Sequence, residues 1–130
     1  MPNQTYALEW LEIAGRNLET ADLLLKQDHY TDIIAIEIHQ TIEKSFKAVL
    51  AFHGVRIPKT HDLMYLYELC NKHLDIPEFF IDDLLAINDY YETERYPGPR
   101  YSIPGKTETE NSLTVASKLH HMIKVYLSSN

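Results

Sequence analysis

Any chemistry in this chain would start from one cationic, aromatic stretch. From Arg95-Tyr96-Pro97 to Lys106 there are two arginines, two tyrosines and a lysine in twelve residues. Guanidinium groups make charge-assisted, two-pronged bonds to phosphate, and tyrosine rings offer a face on which a base can stack. Three prolines and two glycines between Pro97 and Gly105 forbid a regular helix, so the stretch reads as a long loop. Loops of that length in compact domains are often functional. The competing structural reading pairs Arg95 and Arg100 with Glu92 and Glu94 just upstream and makes the tyrosines anchors of the loop. A second cationic segment, Val55-Arg56-Ile57-Pro58-Lys59-Thr60-His61, follows Gly54. The candidate ligand-binding set is therefore Arg95, Tyr96, Arg100, Tyr101, His61 and Lys59. The pattern names no catalytic residue.

The remaining polar residues have plainer readings. His61 beside Asp62, at a helix start, reads as a cap that orders the loop ahead of any catalytic role. His39 lies one turn before Glu43, which suggests a satisfied helical pair and not a ligand. Glu43–Lys47 and Lys44 read as a solvated helix face. His120 and His121 are adjacent and so splay onto different faces, which makes them weak as a metal site. A di-iron bundle would need Glu-x-x-His on two helices, and no glutamate here has a histidine at that spacing. His-Glu-x-x-His is absent, and one cysteine cannot build a zinc site of the thiolate kind. Only Gly98 and Gly105 among the four glycines come near each other, seven apart, so there is no phosphate-cradling glycine loop. No metal and no cofactor is expected.

Charge narrows the function classes further. The 130 residues carry a formal net charge of −7. Nonspecific nucleic-acid binders are usually basic, because their affinity comes from neutralising phosphates. A general polyanion binder is excluded, and contact with RNA or a nucleotide would need a local basic patch. The length fits one domain over 1–130, large enough to bury roughly two thirds of its unfolded surface. Cys70, the single cysteine, rules out an internal disulfide and falls in register with Leu63, Leu66 and Tyr67, as a buried thiol does. No apolar run approaches the ~20 residues of a membrane span, and the N-terminus lacks a charged-then-apolar signal. A cytoplasmic protein with no membrane contact is expected.

The elements that must position these groups are all helical. Tyr30 to Gly54 runs without a proline and stops at a glycine suited to positive φ. Ile34, Ile38, Ile42, Val49 and Phe52 form one apolar stripe, with Ser45 in register; Ile36, Phe46 and Leu50 form a second beside it. The polar stripe is narrow: Glu37, Gln40, Lys44 and Lys47. A helix apolar over most of its circumference must be covered on several sides, so this one is central. Helix one spans about Thr5 to Gln27, with Ala7, Leu11, Ala14, Leu18, Ala21 and Leu25 stepping by four and three, and Trp10 and Leu24 widening the stripe. Leu63, Leu66, Tyr67, Cys70 and Leu74 give helix three. Asp75-x-x-Glu78 reads as the capped start of helix four, which turns Phe80, Leu84, Ile87 and Tyr91 inward. Thr107-x-x-Glu110 reads as the capping box of the last helix. That helix has two apolar stripes, Leu113, Ala116, Ile123 and Leu127 and then Val115, Leu119, Met122 and Tyr126, which suggests contact with the bundle and with a second protomer. The fold class is all-α: an antiparallel up-and-down bundle of about five helices around a long second helix. Strict alternation would gather Arg56, Lys59 and His61 with Arg95, Arg100 and Lys106 at one basic end.

The same central stretch resembles a known family. His39-Gln40-x-x-Glu43-Lys44-x-x-Lys47-Ala48-x-Leu50, then Gly54 and Lys59-Thr60-His61-Asp62-Leu63, is similar to the HEPN domain of prokaryotic small proteins. The resemblance runs from Trp10 to about Pro97 and includes Arg95-Tyr96-Pro97. It implies a homodimer that binds a nucleotide or an RNA end, as the partner subunit of a minimal nucleotidyltransferase in a toxin–antitoxin type module. Ribonuclease members of the wider group carry an Arg, four to six residues and a His near the end of the penultimate helix. Arg95 stands at that place here, but residues 100 to 102 are Arg, Tyr and Ser. RNA cleavage by acid–base chemistry needs a group titrating near neutrality, so the departure counts against an enzyme. Arg56-x-x-x-x-His61 has the letters of the motif but lies between helices two and three. The alternatives are a metal-independent ribonuclease in which His61 substitutes, or a non-catalytic protein-interaction bundle.

Overall fold

The computed structural model describes residues 3–90, 97 and 103–129. The elements are α1 (Gln4–Lys26), α2 (Thr31–Phe52), α3 (Leu63–Cys70), a 3-10 turn (Glu78–Phe80) running into α4 (Ile81–Asn88), and α5 (Lys106–Ser129). No strand occurs among the described residues, and the all-α bundle is built around the long second helix as its hydrophobic pattern requires. At about 1.5 Å per residue α2 is roughly 33 Å long. Fifteen of its 22 residues are buried, so neighbours must cover it on nearly every side. α1 does so antiparallel along its length. Ala7, Ala14 and Ala21 are fully buried, and three small side chains one heptad apart let the two backbones approach closely.

Polar contacts fix the ends. The Asn3 side chain caps α1 by accepting from Tyr6 N, while Asn3 N–H donates to the Phe52 carbonyl at 2.8 Å and ties the start of α1 to the end of α2. Asp28, at φ 53°, turns the chain between the two helices, and Gly54, at φ 68°, stops α2 in the left-handed region where a glycine costs nothing. α5 begins beside the α1–α2 turn. Thr31 Oγ1 donates to the Pro104 carbonyl at 2.7 Å, and Lys106 Nζ pairs with Asp28 at 2.6 Å. At the far end Gln4 Nε2 donates to the Leu127 carbonyl.

Several sequence expectations change here. Lys106 lies at the opposite end of α2 from Gly54, so it does not share an end with Arg56 and Lys59. The reason is the 55–62 connection, which runs back along α2 before α3 starts. Asp75 does not cap helix four. The chain enters through Pro77 and a 3-10 turn without a side-chain cap, and Asn71 Oδ1 organises the preceding turn by accepting from Ile76 N. Thr107 sits inside the first turn of α5, whose first carbonyl is that of Gly105, accepting from Thr109 N at 3.0 Å. Both stripes of α5 are used within the chain: Val115 and Leu119 are buried as Leu113 and Ile123 are. The second stripe is therefore no argument for a second protomer. Tyr91 lies outside the described residues; Tyr90 is buried instead, its hydroxyl 3.0 Å from Ser112 Oγ.

Ile38 is fully buried at the centre of α2. Ile38→Ala should cost about 2–5 kcal/mol, as large-to-small changes in packed cores do. Lys44→Ala, at the half-buried edge, should cost under ~1 kcal/mol. Urea midpoints measure both, and equal losses would mean that α2 is rotated about its axis.

Candidate functional site

The polar residues that the fold gathers are not the ones with the most obvious chemistry in the sequence. Ile36, Glu43 and Leu50 are spaced by seven, so Glu43 falls on the second apolar stripe of α2, with only ~20° of drift per heptad. Glu43 is 3% exposed and Lys47, one turn on, 6%. Their expected role as a solvated face is thus corrected: both are covered by neighbouring helices. Lys47 Nζ donates to Glu43 Oε2 at 2.9 Å and stands 5.8 Å from the centre of the Trp10 ring on α1. The ring face shields the ammonium and attracts it at once. His39, fully buried one turn before Glu43, has Nδ1 3.7 Å from Glu43 Oε1. That is an electrostatic approach and too long for a hydrogen bond.

The other carboxylate oxygen contact comes from a different element. His61 Nδ1 lies 3.0 Å from Glu43 Oε1. A carboxylate oxygen can only accept, so Nδ1 carries the hydrogen. His61 does not cap α3. Asp62 does, accepting from Met64 N at 3.0 Å and Tyr65 N at 3.4 Å. Asp62 also accepts from Asn88 Nδ2 at 3.0 Å, and Asn88 Oδ1 accepts from Leu63 N at 2.8 Å. The last turn of α4 is thereby lashed to the residue beside His61. The imidazole remains about half exposed, against 4% for the Glu43 side chain. The arrangement is a surface imidazole held and oriented by a buried carboxylate, which is itself neutralised by a buried lysine. Such a group can donate to or accept from a bound ligand in a fixed direction.

Of the sequence-named set, His61 is at this corner, and Lys59 is exposed two residues before it. Arg95, Tyr96, Arg100 and Tyr101 lie outside the described residues. Sequence reasoning missed Glu43 and Lys47 as inward groups, and the signal was the heptad register of Glu43 with Ile36 and Leu50. His120 is half-buried, its Nε2 3.4 Å from the Leu11 carbonyl, while His121 is exposed, so the two do splay apart. Burial holds the His120 pKa below the ordinary histidine value, partly offset by that carbonyl, with smaller lowering from Lys124 and His121. Burial likewise pushes the Cys70 thiol far up; its Sγ donates to the Phe46 carbonyl. Among the described residues no three His, Cys, Asp or Glu side chains converge as a metal site would require. No described helix is long and apolar enough to cross a membrane.

Comparison with known proteins bears on the family and the fold. The model of the HEPN domain matches residues 7–126. A protein of Methanocaldococcus jannaschii, named "Putative toxin MJ1304", is 30% identical over 118 residues, covering 89% of this chain and 76% of that protein. The crystal structure of TT1696 from Thermus thermophilus superposes with a TM-score of 0.80 at 25% identity, over 91% of this chain and 95% of that one. ST0689, described as an archaeal HEPN homologue, has the same fold, with a TM-score of 0.73 at 19% identity over 93% and 97% of the two chains.

Breaking the buried pair should be costly. Lys47→Ala leaves Glu43 dry and without its cation, and should remove about 3–5 kcal/mol. A solvated pair would lose under ~1 kcal/mol. Chemical denaturation of Lys47→Ala separates the two, and a loss in the lower range would overturn the dry-pair geometry.

Proposed function

The chain belongs to the HEPN domain family, and from that premise we propose that it binds an RNA end or nucleotide at the His61 corner. It acts there as the partner subunit of a minimal nucleotidyltransferase, in a cytoplasmic toxin–antitoxin type module. The observation that carries the ligand site is His61, half exposed and held by buried Glu43 beside the end of α4. In the sequence Arg95, Tyr96, Arg100 and Tyr101 follow α4, whose last residue, Asn88, is bonded to Asp62 next to His61. Support for the module comes from the Methanocaldococcus jannaschii relative, whose name carries the word toxin. With a net charge of −7 the contact must be local, to one or two phosphates, and raising salt should weaken it only modestly.

The protein acts as a homodimer in this reading. Leu85 on α4 and Phe79 in the preceding turn are 50% and 72% exposed, apolar surface that a second copy would cover. Sedimentation should then give about twice the chain mass of 15.2 kDa.

One observation favours a second reading, a metal-independent ribonuclease. His61 bonded through Nδ1 to Glu43 has the form of an oriented general base, and could take the role of the histidine missing after Arg95.

Titration of mono- and dinucleotides and short RNA, by calorimetry or amide shifts, tests both. Arg95→Ala and Arg95→Lys should each weaken binding by about 1.5–3 kcal/mol, since an ammonium cannot reproduce a two-pronged guanidinium contact. His61→Ala should weaken it too. Chelator-resistant RNA cleavage that disappears in His61→Ala would move the enzyme reading to first place. If the wild type binds none of these ligands, the protein is an interaction bundle.

A further inference from the structure

The C-terminal end of α2 is built into an aromatic contact of three segments. The His53 ring stacks on that of His73, from the turn after α3, with centroids 4.1 Å apart and planes 14° from parallel. His53 Nε2 lies 2.6 Å from the Tyr126 hydroxyl of α5, and the same hydroxyl is 3.4 Å from the His73 carbonyl. Phe52 meets both His53 and Tyr126 edge-on. Immediately after His53 come Gly54 and the connection that carries His61 to Glu43. The histidine pair is not a metal chelate. Parallel rings direct their nitrogen lone pairs side by side, whereas a metal needs donors converging on one point ~2.1 Å from each.

We propose that the His53–His73 stack with Tyr126 is an acid-opened clasp, which holds the 55–61 connection, and so His61, in place until both rings are protonated.

Charge in a partly covered contact decides when the clasp opens. Two neutral imidazoles stack as aromatics do, and one imidazolium can lie over a neutral ring. Two imidazoliums at this separation repel, and little water stands between them to screen it. Tyr126 does not decide the outcome. Neutral Nε2 can accept from its O–H, while protonated Nε2 donates to its oxygen and the hydroxyl hydrogen turns to the His73 carbonyl. The hydrogen bonds thus survive the first proton, and repulsion opposes the second. Burial raises the Tyr126 pKa, so it stays neutral in acid. From α1 the contact is the Asn3 N–H on the Phe52 carbonyl, which does not ionise. The ion pairs that histidines form among the described residues are those of His39 and His61 with Glu43, away from this contact.

Burial first, and His73 second, hold His53 below its ordinary value of 6.5. The unfolded chain therefore takes up the proton before the folded one does. The stability contributed by the neutral ring is complete above pH ~6.5 and is lost as pH falls through the lowered folded value.

Imidazole NMR titration of His53, together with amide exchange across 55–61, tests the clasp in the whole chain. In the wild type the His53 midpoint should lie below the ordinary histidine value of 6.5. Exchange at 55–61, corrected for its intrinsic pH dependence, should speed up by roughly an order of magnitude in acid while α2 core amides stay protected. His73→Phe keeps a ring to stack on without a second charge. It should raise the His53 midpoint and abolish the acid acceleration; His73→Ala should raise the midpoint but loosen 55–61 at every pH. An unchanged His53 midpoint in His73→Phe, or pH-independent protection of 55–61 in the wild type, would overturn the proposal.

Discussion

The Glu43 carboxylate sits inside the bundle, and a charge removed from water must find its partners in the protein. Everything around it can be read as an answer to that requirement. Lys47 supplies the countercharge from the next turn of the same helix, where a Glu four residues before a Lys has the favourable order. Trp10 of α1 supplies a polarisable face for the ammonium. The other carboxylate oxygen is met by His61, and this is why the 55–62 connection cannot stay at the end of α2 but must return along it. A buried ion pair of this kind is weak evidence for stability, because desolvation opposes it. It is better evidence for register: among the alternative packings of an apolar helix, few would bring a cation and a hydrogen-bond donor to this one carboxylate.

The return of the chain to Glu43 sets the positions of α3 and α4. α3 starts level with the middle of α2, its first N–H groups capped by Asp62, and it ends where Cys70 meets the Phe46 carbonyl. Asn88 then closes the circuit by bonding both Asp62 and Leu63, so α4 finishes at the starting point of α3. On the other flank α1 and α2 share a polar seam, in which Asn17 donates to Glu37 and accepts from Lys44. The seam lies where the alanine stripe of α1 brings the two backbones together. Packing and polar satisfaction thus reach the same arrangement from opposite sides of α2, the consistency across levels expected of a well-specified fold.

For function, the same constraint turns an acidic protein into one with a directed polar corner. The half-exposed imidazole is oriented from behind, and the cationic residues near it in sequence follow or precede elements anchored there. The family pattern of Arg followed by His is broken after Arg95, while the letters of that pattern recur at Arg56 and His61, where the fold gives the histidine a carboxylate partner.

The sequence by itself determined the helices, because apolar spacing, the absence of proline from 31–52 and a glycine at the stop are local properties that a helix must satisfy whatever surrounds it. It also determined that α2 is central, since its apolar residues cover too much of the circumference for any other place. Which polar residues on α2 face inward was only partly legible. Glu43 shares the heptad register of Ile36 and Leu50, yet a glutamate and a lysine one turn apart make the same pattern on a solvated face. The tertiary structure decided between them. His61 is 18 residues beyond Glu43 and Trp10 lies on another helix, and no local rule says that a loop will turn back or that an indole will cover an ammonium. Whether a charged pair is wet or dry is a property of what packs over it, and that is fixed only when distant segments of the chain come together.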